Sequence, residues 1–246
     1  MNFATYPSLR GKVVFITGGG SGIGAVLVEA FHAQGARVAF VSHSDEGDLS
    51  GRLGVWFESG DVTDVPWFEA AIGRACGALG AIDILINNVA NDSRHIAADT
   101  NEDAWRKGLA VNLDAAFLAA RAVQPGMKAK GGGAIINISS INALLGPPEM
   151  VTYVAAKGAI NAMTKALARE WGRDNIRVNV LSPGWVITER QLKLWLTPEA
   201  EQEWMKLTAL QTRILPEDVA QLAMFLSADD SSKITGQNFV IDGGRT

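Results

Sequence analysis

A glycine-rich stretch, TGGGSGIG at residues 17–24, directly follows the apolar run VVFI. Glycine inside a regular element costs about 0.5–1 kcal/mol relative to alanine, so the cluster predicts a turn where something approaches the main chain closely. A strand pattern precedes the turn and an amphipathic helix pattern follows it. The exposed N–H groups and the positive end of that helix could hold an anion such as a pyrophosphate. A tight turn without a ligand is the alternative.

Short runs rich in valine and isoleucine recur along the chain with helical patterns between them. They lie at residues 12–17, 37–42, 82–87, 134–139, 176–181 and 238–242. Nearly continuous apolar runs are typical of strands that are buried on both faces of a parallel sheet. The alternation of strand and helix predicts an α/β fold with a doubly wound parallel sheet and helices on both faces. At 246 residues, without a linker or repeat, we expect a single domain over residues 1–246.

Composition excludes several classes of function. A net charge of −4 leaves no basic surface for nucleic acid, and no run approaches the roughly 18 apolar residues of a membrane helix. The single cysteine, Cys76, excludes an internal disulfide and fits a reducing, cytoplasmic setting. The three histidines, His32, His43 and His95, lack the spacing of metal ligands, so no metal is expected. A small-molecule partner is the remaining expectation.

Residues 185–212 interrupt the alternation, because they contain no strand pattern. Thr197 looks like an N-cap with Pro198 at the first helical position, and two tryptophans flank them at Trp195 and Trp204. An aromatic helical insertion after a late strand predicts a lid over a ligand. A surface helix packed on the core is the alternative.

Further motifs follow the glycine stretch in order along nearly the whole chain. The glycine spacing is T-G-x-x-x-G-x-G, and it is followed by GDV at 60–62, NNVA at 87–90, VN at 111–112, NISS at 137–140, YVAAK at 153–157 and SPGWVIT at 182–188. In this order and spacing the chain resembles the short-chain dehydrogenase/reductase family. Asn87 matches the family's N-N-A-G segment, whereas Val89 and Ala90 depart from it.

The resemblance implies a Rossmann fold, NAD or NADP as cofactor, and a homotetramer. It implies Tyr153 as the general acid/base, Ser140 as a hydrogen-bond partner of the reacting oxygen, and Asn112 as the holder of a water that carries a proton outward from Lys157. Asp61, at the end of a short strand, would lie on the adenine side, and Thr188 would lie beside the nicotinamide carboxamide. The positions implied to bind the cofactor are Gly18, Ser21, Gly22, Ile23, Gly24, Ser42, His43, Asp61, Val62, Asn88, Ala90, Tyr153, Lys157, Pro183, Gly184, Val186 and Thr188.

The spacing of Tyr153 and Lys157 also has a chemical explanation that does not depend on the resemblance. Four residues apart in a helix, both side chains lie on one face. A phenol with a pKa of about 10 needs roughly 4 kcal/mol of stabilisation to ionise at pH 7. A single charge at about 4 Å supplies about that much at an effective dielectric constant of about 20. The sequence therefore predicts that Lys157 lowers the pKa of Tyr153. Each site residue also has a plain alternative: a strand-end cap for Ser140, a helix-kink partner for Asn112, a half-buried aromatic for Tyr153 and a solvated charge for Lys157.

The end of the second predicted strand bears on the choice of cofactor. An acid there usually holds the adenosine ribose of NAD, but this chain has Ser42 followed by His43. No carboxylate repels a 2′-phosphate at that point, which favours NADP. Asp45 or Glu46 could fold back and restore a preference for NAD, and use of both cofactors stays open.

Within the family the resemblance extends to bacterial aldose 1-dehydrogenases, through YPSLRGK at 6–12, NNVANDSRH at 87–95 and PGWVITERQLKLWLTPEAE at 183–201. It implies a sugar substrate oxidised at C1 to a lactone. The implied pocket residues are Asn91, Asp92, Arg94, His95, Asn142, Glu149, Trp185, Gln191 and Trp195. A charged surface loop is the alternative for NDSRH. A 3-oxoacyl thioester substrate and a non-catalytic nucleotide-binding regulator are the competing functions.

Overall fold

A computed structural model describes residues 4–246 and contains one seven-stranded parallel sheet. The strands are β1 (Val13–Thr17), β2 (Arg37–Ser42), β3 (Trp56–Ser59), β4 (Ile84–Asn87), β5 (Gly133–Ile138), β6 (Ile176–Pro183) and β7 (Asn238–Ile241). Their order across the sheet is β3-β2-β1-β4-β5-β6-β7. The strand order therefore reverses between β1 and β4, which is the position where open α/β sheets bind ligands.

Helices cover both faces of the sheet. They are α1 (Gly22–Ala33), α2 (Leu49–Leu53), α3 (Val65–Leu79), α4 (Glu102–Leu109), α5 (Ala115–Ala129), α6 (Asn142–Leu145), α7 (Val151–Trp171), α8 (Glu189–Leu194), α9 (Pro198–Met205) and α10 (Pro216–Ser227). One apolar core lies under α1, α2 and α10, and a second lies under α3, α5 and α7. The predicted doubly wound parallel sheet is confirmed.

The amphipathic patterns of the sequence explain how the helices dock. In α1 the side chains of Leu27, Ala30 and Phe31 are fully buried against the sheet. In α10 the same spacing buries Val219 and Ala223. All five residues of β1 are buried, as expected for a central parallel strand.

Strand β3 is the element that the apolar runs did not mark. Its residues WFES are half-buried or exposed because β3 forms the edge of the sheet and pairs on one side with β2. It ends at Ser59, so Asp61 lies two residues beyond the strand. Within residues 4–246, no helix is both long and apolar enough to span a bilayer.

The segment after β6 folds into α8 and α9. Thr197 caps α9 by accepting a hydrogen bond from the N–H of Ala200, as predicted. Trp185 and Trp204 meet edge to face with ring centroids 5.5 Å apart. The segment thus closes on itself through an aromatic contact, and its function as a lid stays a prediction.

Candidate active site

The glycine stretch forms the turn from β1 into α1. Gly18 and Gly22 have φ angles of +70° and +55°, which disfavour other residues. A Cβ on Gly20 would lie 1.8 Å from the Ser44 carbonyl oxygen, and a Cβ on Gly24 would lie 1.8 Å from that of Gly18. Both glycines are therefore required for the turn to pack against its neighbouring loops.

The turn has the properties of an anion site. Ser21 is the N-cap residue of α1, but its side chain does not cap the helix, and the first turn contains no acidic residue. The first N–H groups of a helix lack partners within it, and its positive end attracts negative charge. Together with a buried cation on α7, described below, the residues fit a dinucleotide with a pyrophosphate and a nicotinamide.

Two side chains connect the glycine turn to other loops. The Asn88 amide donates hydrogen bonds to the carbonyl oxygens of Thr17 and Gly18, and the Thr17 hydroxyl accepts from the N–H groups of Asn88 and Val89. A Cβ on Gly22 would lie 3.5 Å from Cγ2 of Thr188, the residue that caps α8. The structure therefore places Gly22 and Thr188 next to each other, and both are predicted to bind the cofactor.

Tyr153 and Lys157 lie on the first two turns of α7, as their spacing predicts. Lys157 is 1% exposed, and its ammonium donates a 2.8 Å hydrogen bond to the Ile138 carbonyl at the end of β5. Its Nζ lies 5.6 Å from the centroid of the Tyr153 ring. No carboxylate in the described part of the chain forms a salt bridge with this buried ammonium.

Burial dominates the titration of this pair. Burial raises the pKa of Tyr153 to about 12; a hydrogen bond with the Ser140 hydroxyl opposes the rise, and the Asp92 charge adds to it. Burial lowers the pKa of Lys157 to about 8. The expected lowering of the Tyr153 pKa by Lys157 is therefore wrong for the chain by itself. Both charged forms lose hydration here, and the Lys157 ammonium bonds to a carbonyl rather than to the phenol.

Ser140 and Asn112 lie near the pair and also support the backbone. Ser140 lies two residues beyond β5 and its hydroxyl accepts a hydrogen bond from the N–H of Asn142. Asn112 sits in a π-helical turn, Ala110–Asp114, where its buried amide binds both the N–H and the carbonyl of Asn91. The Asn112 side chain thus makes the backbone contacts that the helix-kink alternative expects. Its binding of a water stays a prediction.

A pocket of about 480 Å³ opens beside Tyr153 and Asn112. Of the predicted substrate residues, Asn91, Arg94 and His95 line it. Sequence analysis missed the other lining residues, which are Ser93, Ile96, Asp99, Thr100, Ala104, Lys107, Gly108 and Thr152. Two of these residues could have been found from the sequence. Thr152 lies next to Tyr153, and Gly108 lies one helical turn before Asn112.

The loop after β4 is joined to α8 by polar contacts. The Asp92 carboxylate accepts hydrogen bonds from Arg190 at 3.1 Å and from Gln191 at 2.9 Å, across 98 and 99 positions of sequence. Gln191 in turn accepts from the indole N–H of Trp185. The Arg94 guanidinium lies 4.9 Å from the centroid of a Trp195 ring. Five predicted substrate residues therefore make contacts with one another, Asp92, Trp185 and Gln191 in one group and Arg94 and Trp195 in a second, and Arg190 is an additional partner.

The remaining predicted residues take other positions. Asn142 begins α6, and its amide contacts the sulfur of Met150. Glu149 is exposed and has a φ of +63°. The Asp61 carboxylate accepts from both the N–H and the hydroxyl of Thr63, which lowers its pKa. Asp45 accepts from the start of α2, so it does not fold back towards the end of β2.

Comparisons with known proteins show which family the chain resembles. A family model described as enoyl-(acyl carrier protein) reductase matches residues 18–246. A D-xylose 1-dehydrogenase of Caulobacter vibrioides is 44% identical over 251 residues, which cover 99% of both chains. A probable galactose dehydrogenase of Rhizobium meliloti is 42% identical over 247 residues, 97% of this chain and 96% of that protein.

A solved structure is also similar to this chain. A 7α-hydroxysteroid dehydrogenase in complex with NADH superposes with a TM-score of 0.90 at 31% identity, covering 97% of this chain and 96% of that one. The chain belongs to the short-chain dehydrogenase/reductase family. As a member of this family it is an oxidoreductase that depends on a nicotinamide cofactor.

Proposed function

We propose that this short-chain dehydrogenase oxidises a free aldose at its anomeric carbon and releases a lactone. The observation that carries the proposal is the pocket that opens directly onto Tyr153, whose lining residues include amide, hydroxyl and charged side chains beside apolar surface. Such side chains can donate to and accept from the hydroxyl groups of a sugar. Relatives described as xylose and galactose dehydrogenases support the same substrate class.

Tyr153 removes the proton of the C1 hydroxyl during oxidation. A bound oxidised nicotinamide would supply the acceptor for the hydride that leaves the substrate carbon. Ser140 holds the reacting oxygen near the phenol, because its hydroxyl lies beside Tyr153 and opposes the rise of the Tyr153 pKa. The positive charge that an oxidised cofactor brings to the site favours the phenolate, which opposes the effect of burial.

Lys157 keeps positive charge beside the phenol in a place that water does not reach. Its ammonium has spare donors beyond the bond to Ile138, and these can hold the hydroxyl groups of the nicotinamide ribose. Asn112 holds the loop after β4 at Asn91 and positions a water that passes the proton outward. The N–H groups at the glycine turn hold the pyrophosphate, and Thr188 anchors the nicotinamide amide.

The contact between Asp92 and α8 holds the predicted lid against the loop after β4. A closed segment excludes water and strengthens the polar interactions inside. The predicted lid therefore acts through Asp92, Gln191 and Trp185, which form one hydrogen-bonded chain. The homotetramer of the family and the cytoplasmic location belong to this proposal as well.

Asp92→Asn is expected to shift the pH profile of kcat for oxidation to lower pH. The Asp92 charge raises the pKa of Tyr153, and its removal also leaves the Arg190 cation unneutralised. Both changes favour the phenolate, so the rate reaches its plateau at lower pH. Glu102→Gln, an exposed change on α4, is the control and should leave the profile unchanged. A shift to higher pH, or none, contradicts the assignment.

NADP is expected to bind at least as tightly as NAD. Ser42 ends β2 where NAD-specific proteins usually carry an acid, and Asp45 is engaged with α2. Titration of both cofactors at fixed sugar concentration, compared through kcat/KM, measures the preference. A preference of about tenfold or more for NAD, or about 1.4 kcal/mol, would refute the expectation.

A substrate screen tests the proposed function. Pentoses, hexoses and deoxyhexoses are offered with each cofactor, and 3-oxoacyl thioesters are offered with the reduced cofactors. We expect oxidation of at least one aldose, with strong discrimination among epimers, because a site built for hydroxyl groups can reject an analogue lacking one by as much as about 10⁴-fold. Reduction of thioesters without turnover of any aldose overturns the sugar assignment. Cofactor binding without turnover of any substrate supports the non-catalytic regulator.

A further inference from the structure

The imidazole of His95 is held by the protein at both of its nitrogens. Nδ1 lies 3.1 Å from the carbonyl oxygen of Ser93, which can only accept, so the neutral ring carries its proton on Nδ1. Nε2 accepts a hydrogen bond from the N–H of Thr152 at 3.3 Å and lies 3.2 Å from the Thr152 hydroxyl. His95 therefore contacts the helix that carries the acid/base, and sequence analysis assigned it to the sugar instead.

The helix end that His95 contacts has no cap of its own. The N-cap residue of α7 is Met150, whose side chain makes no hydrogen bond to the first turn. Thr152 is the second helical residue, and its N–H is one of the groups that a capping side chain normally satisfies. The imidazole supplies this acceptor from 57 positions earlier in the chain.

A second bond fixes the same two segments. The N–H of His95 donates to the carbonyl oxygen of Glu149 at 2.7 Å. Glu149 has a φ of +63°, a left-handed conformation that is unfavourable for a residue with a side chain. The strained residue and the imidazole thus tie the loop after β4 to the start of α7, immediately before Tyr153.

We propose that neutral His95 is a positioning residue, which caps α7 and thereby sets the position of the Tyr153 hydroxyl at the substrate pocket. This inference rests on the proposed function of Tyr153 as the acid/base. His95 acts through the backbone of Thr152 and not through the sugar, because both of its ring nitrogens are already occupied.

Three variants separate positioning from sugar binding. In His95→Phe the ring remains and the acceptor is lost, so kcat is expected to fall about tenfold to a hundredfold while KM changes less than about threefold. In His95→Gln an uncharged acceptor remains, so kcat near pH 8 should stay within about threefold of the wild type. His32→Phe, the same change on the remote helix α1, is the control and should leave both constants unchanged.

The kinetic outcomes that overturn the proposal are specific. A raised KM with unchanged kcat in His95→Phe would show that His95 binds the sugar. A kcat within about twofold of the wild type would show that His95 has no positioning effect. If His95→Phe does not fold, His95→Ala, which also lacks the acceptor, takes its place. Its kcat should fall by the same range, and a kcat equal to that of His95→Gln contradicts the proposal.

Amide hydrogen exchange provides a readout that does not depend on turnover. In the enzyme without substrate, the protection factor of the first turn of α7, residues 151–154, should be lower in the variant without the acceptor than in the wild type, and it should be retained in His95→Gln. Equal protection in these proteins contradicts the cap. If Tyr153→Phe remains active while the exchange result holds, the proposed function fails and the cap stands.

Discussion

Replacing Tyr153 by phenylalanine is expected to lower kcat by about a thousandfold, since general acid/base catalysis typically contributes 10²–10⁴-fold. The change removes one hydroxyl from a half-buried side chain on the first turn of α7. The ring that packs beside Lys157 remains, so the fold and the binding of the cofactor should persist. Steady-state oxidation of an accepted aldose gives kcat, and a fluorescence titration gives the cofactor Kd.

The chain provides a matched control for this variant. It contains two tyrosines, and the other, Tyr6, packs on the core beneath α1 and α10. Tyr6→Phe removes the same hydroxyl and should leave kcat unchanged. If Tyr153→Phe keeps more than about a tenth of the wild-type kcat, a loss below about 1.4 kcal/mol, then Tyr153 is not the essential acid/base.

Lys157→Met is expected to abolish turnover and yet to remove a source of instability. The lysine is 1% exposed and burial lowers its pKa from 10.5 to about 8. This lowering of the pKa corresponds to roughly 3 kcal/mol of cost for holding the charged form inside the protein at pH 7. Methionine has a similar length and needs no hydration, although the Ile138 carbonyl loses its donor.

The pH dependence of unfolding identifies this cost. Between about pH 8 and 10.5 the folded protein has released the Lys157 proton while the unfolded chain still holds it. Stability therefore rises with pH in this window, and the gain is lost as the pH falls through about 8. Tyr153 has a raised pKa in both proteins, so its effect cancels in the comparison.

Urea unfolding of the wild type and Lys157→Met near pH 7 and pH 10 measures the difference. The stability of the wild type relative to the variant should improve by about 2–3 kcal/mol between the two pH values. A difference that stays constant with pH would show that the lysine is not buried as a charge. Retention of activity by Lys157→Met would contradict its place in the site.

The parts of the site that follow from local rules could be predicted from sequence. The four-residue spacing of Tyr153 and Lys157 determines that they share a helix face, and the glycines at 18, 22 and 24 determine a turn that side chains would block. The predicted parallel sheet follows from buried apolar strands. Strand β3 lacked that signal, because one side of an edge strand has no neighbour and its residues are only partly buried.

The features that depend on burial and on distant contacts could not be predicted. Spacing gives the separation of Tyr153 and Lys157, but the loss of hydration that reverses the expected pKa shift depends on everything packed around them. Asp92 contacts Arg190, which lies 98 positions later in the sequence, and His95 contacts Thr152, which lies 57 positions later. A charged loop such as NDSRH has many possible partners, and the tertiary fold selects among them.

The central claim, oxidation of an aldose at C1, is tested most directly by following the hydrogen on that carbon. An accepted aldose labelled with deuterium at C1 is oxidised by the wild-type enzyme, and the reduced nicotinamide is analysed by mass spectrometry. The same sugar labelled at C2 is the control. The account predicts one deuterium per reduced cofactor from the C1-labelled sugar and none from the C2-labelled sugar. Unlabelled reduced cofactor from the C1-labelled sugar, or label from C2, would contradict it.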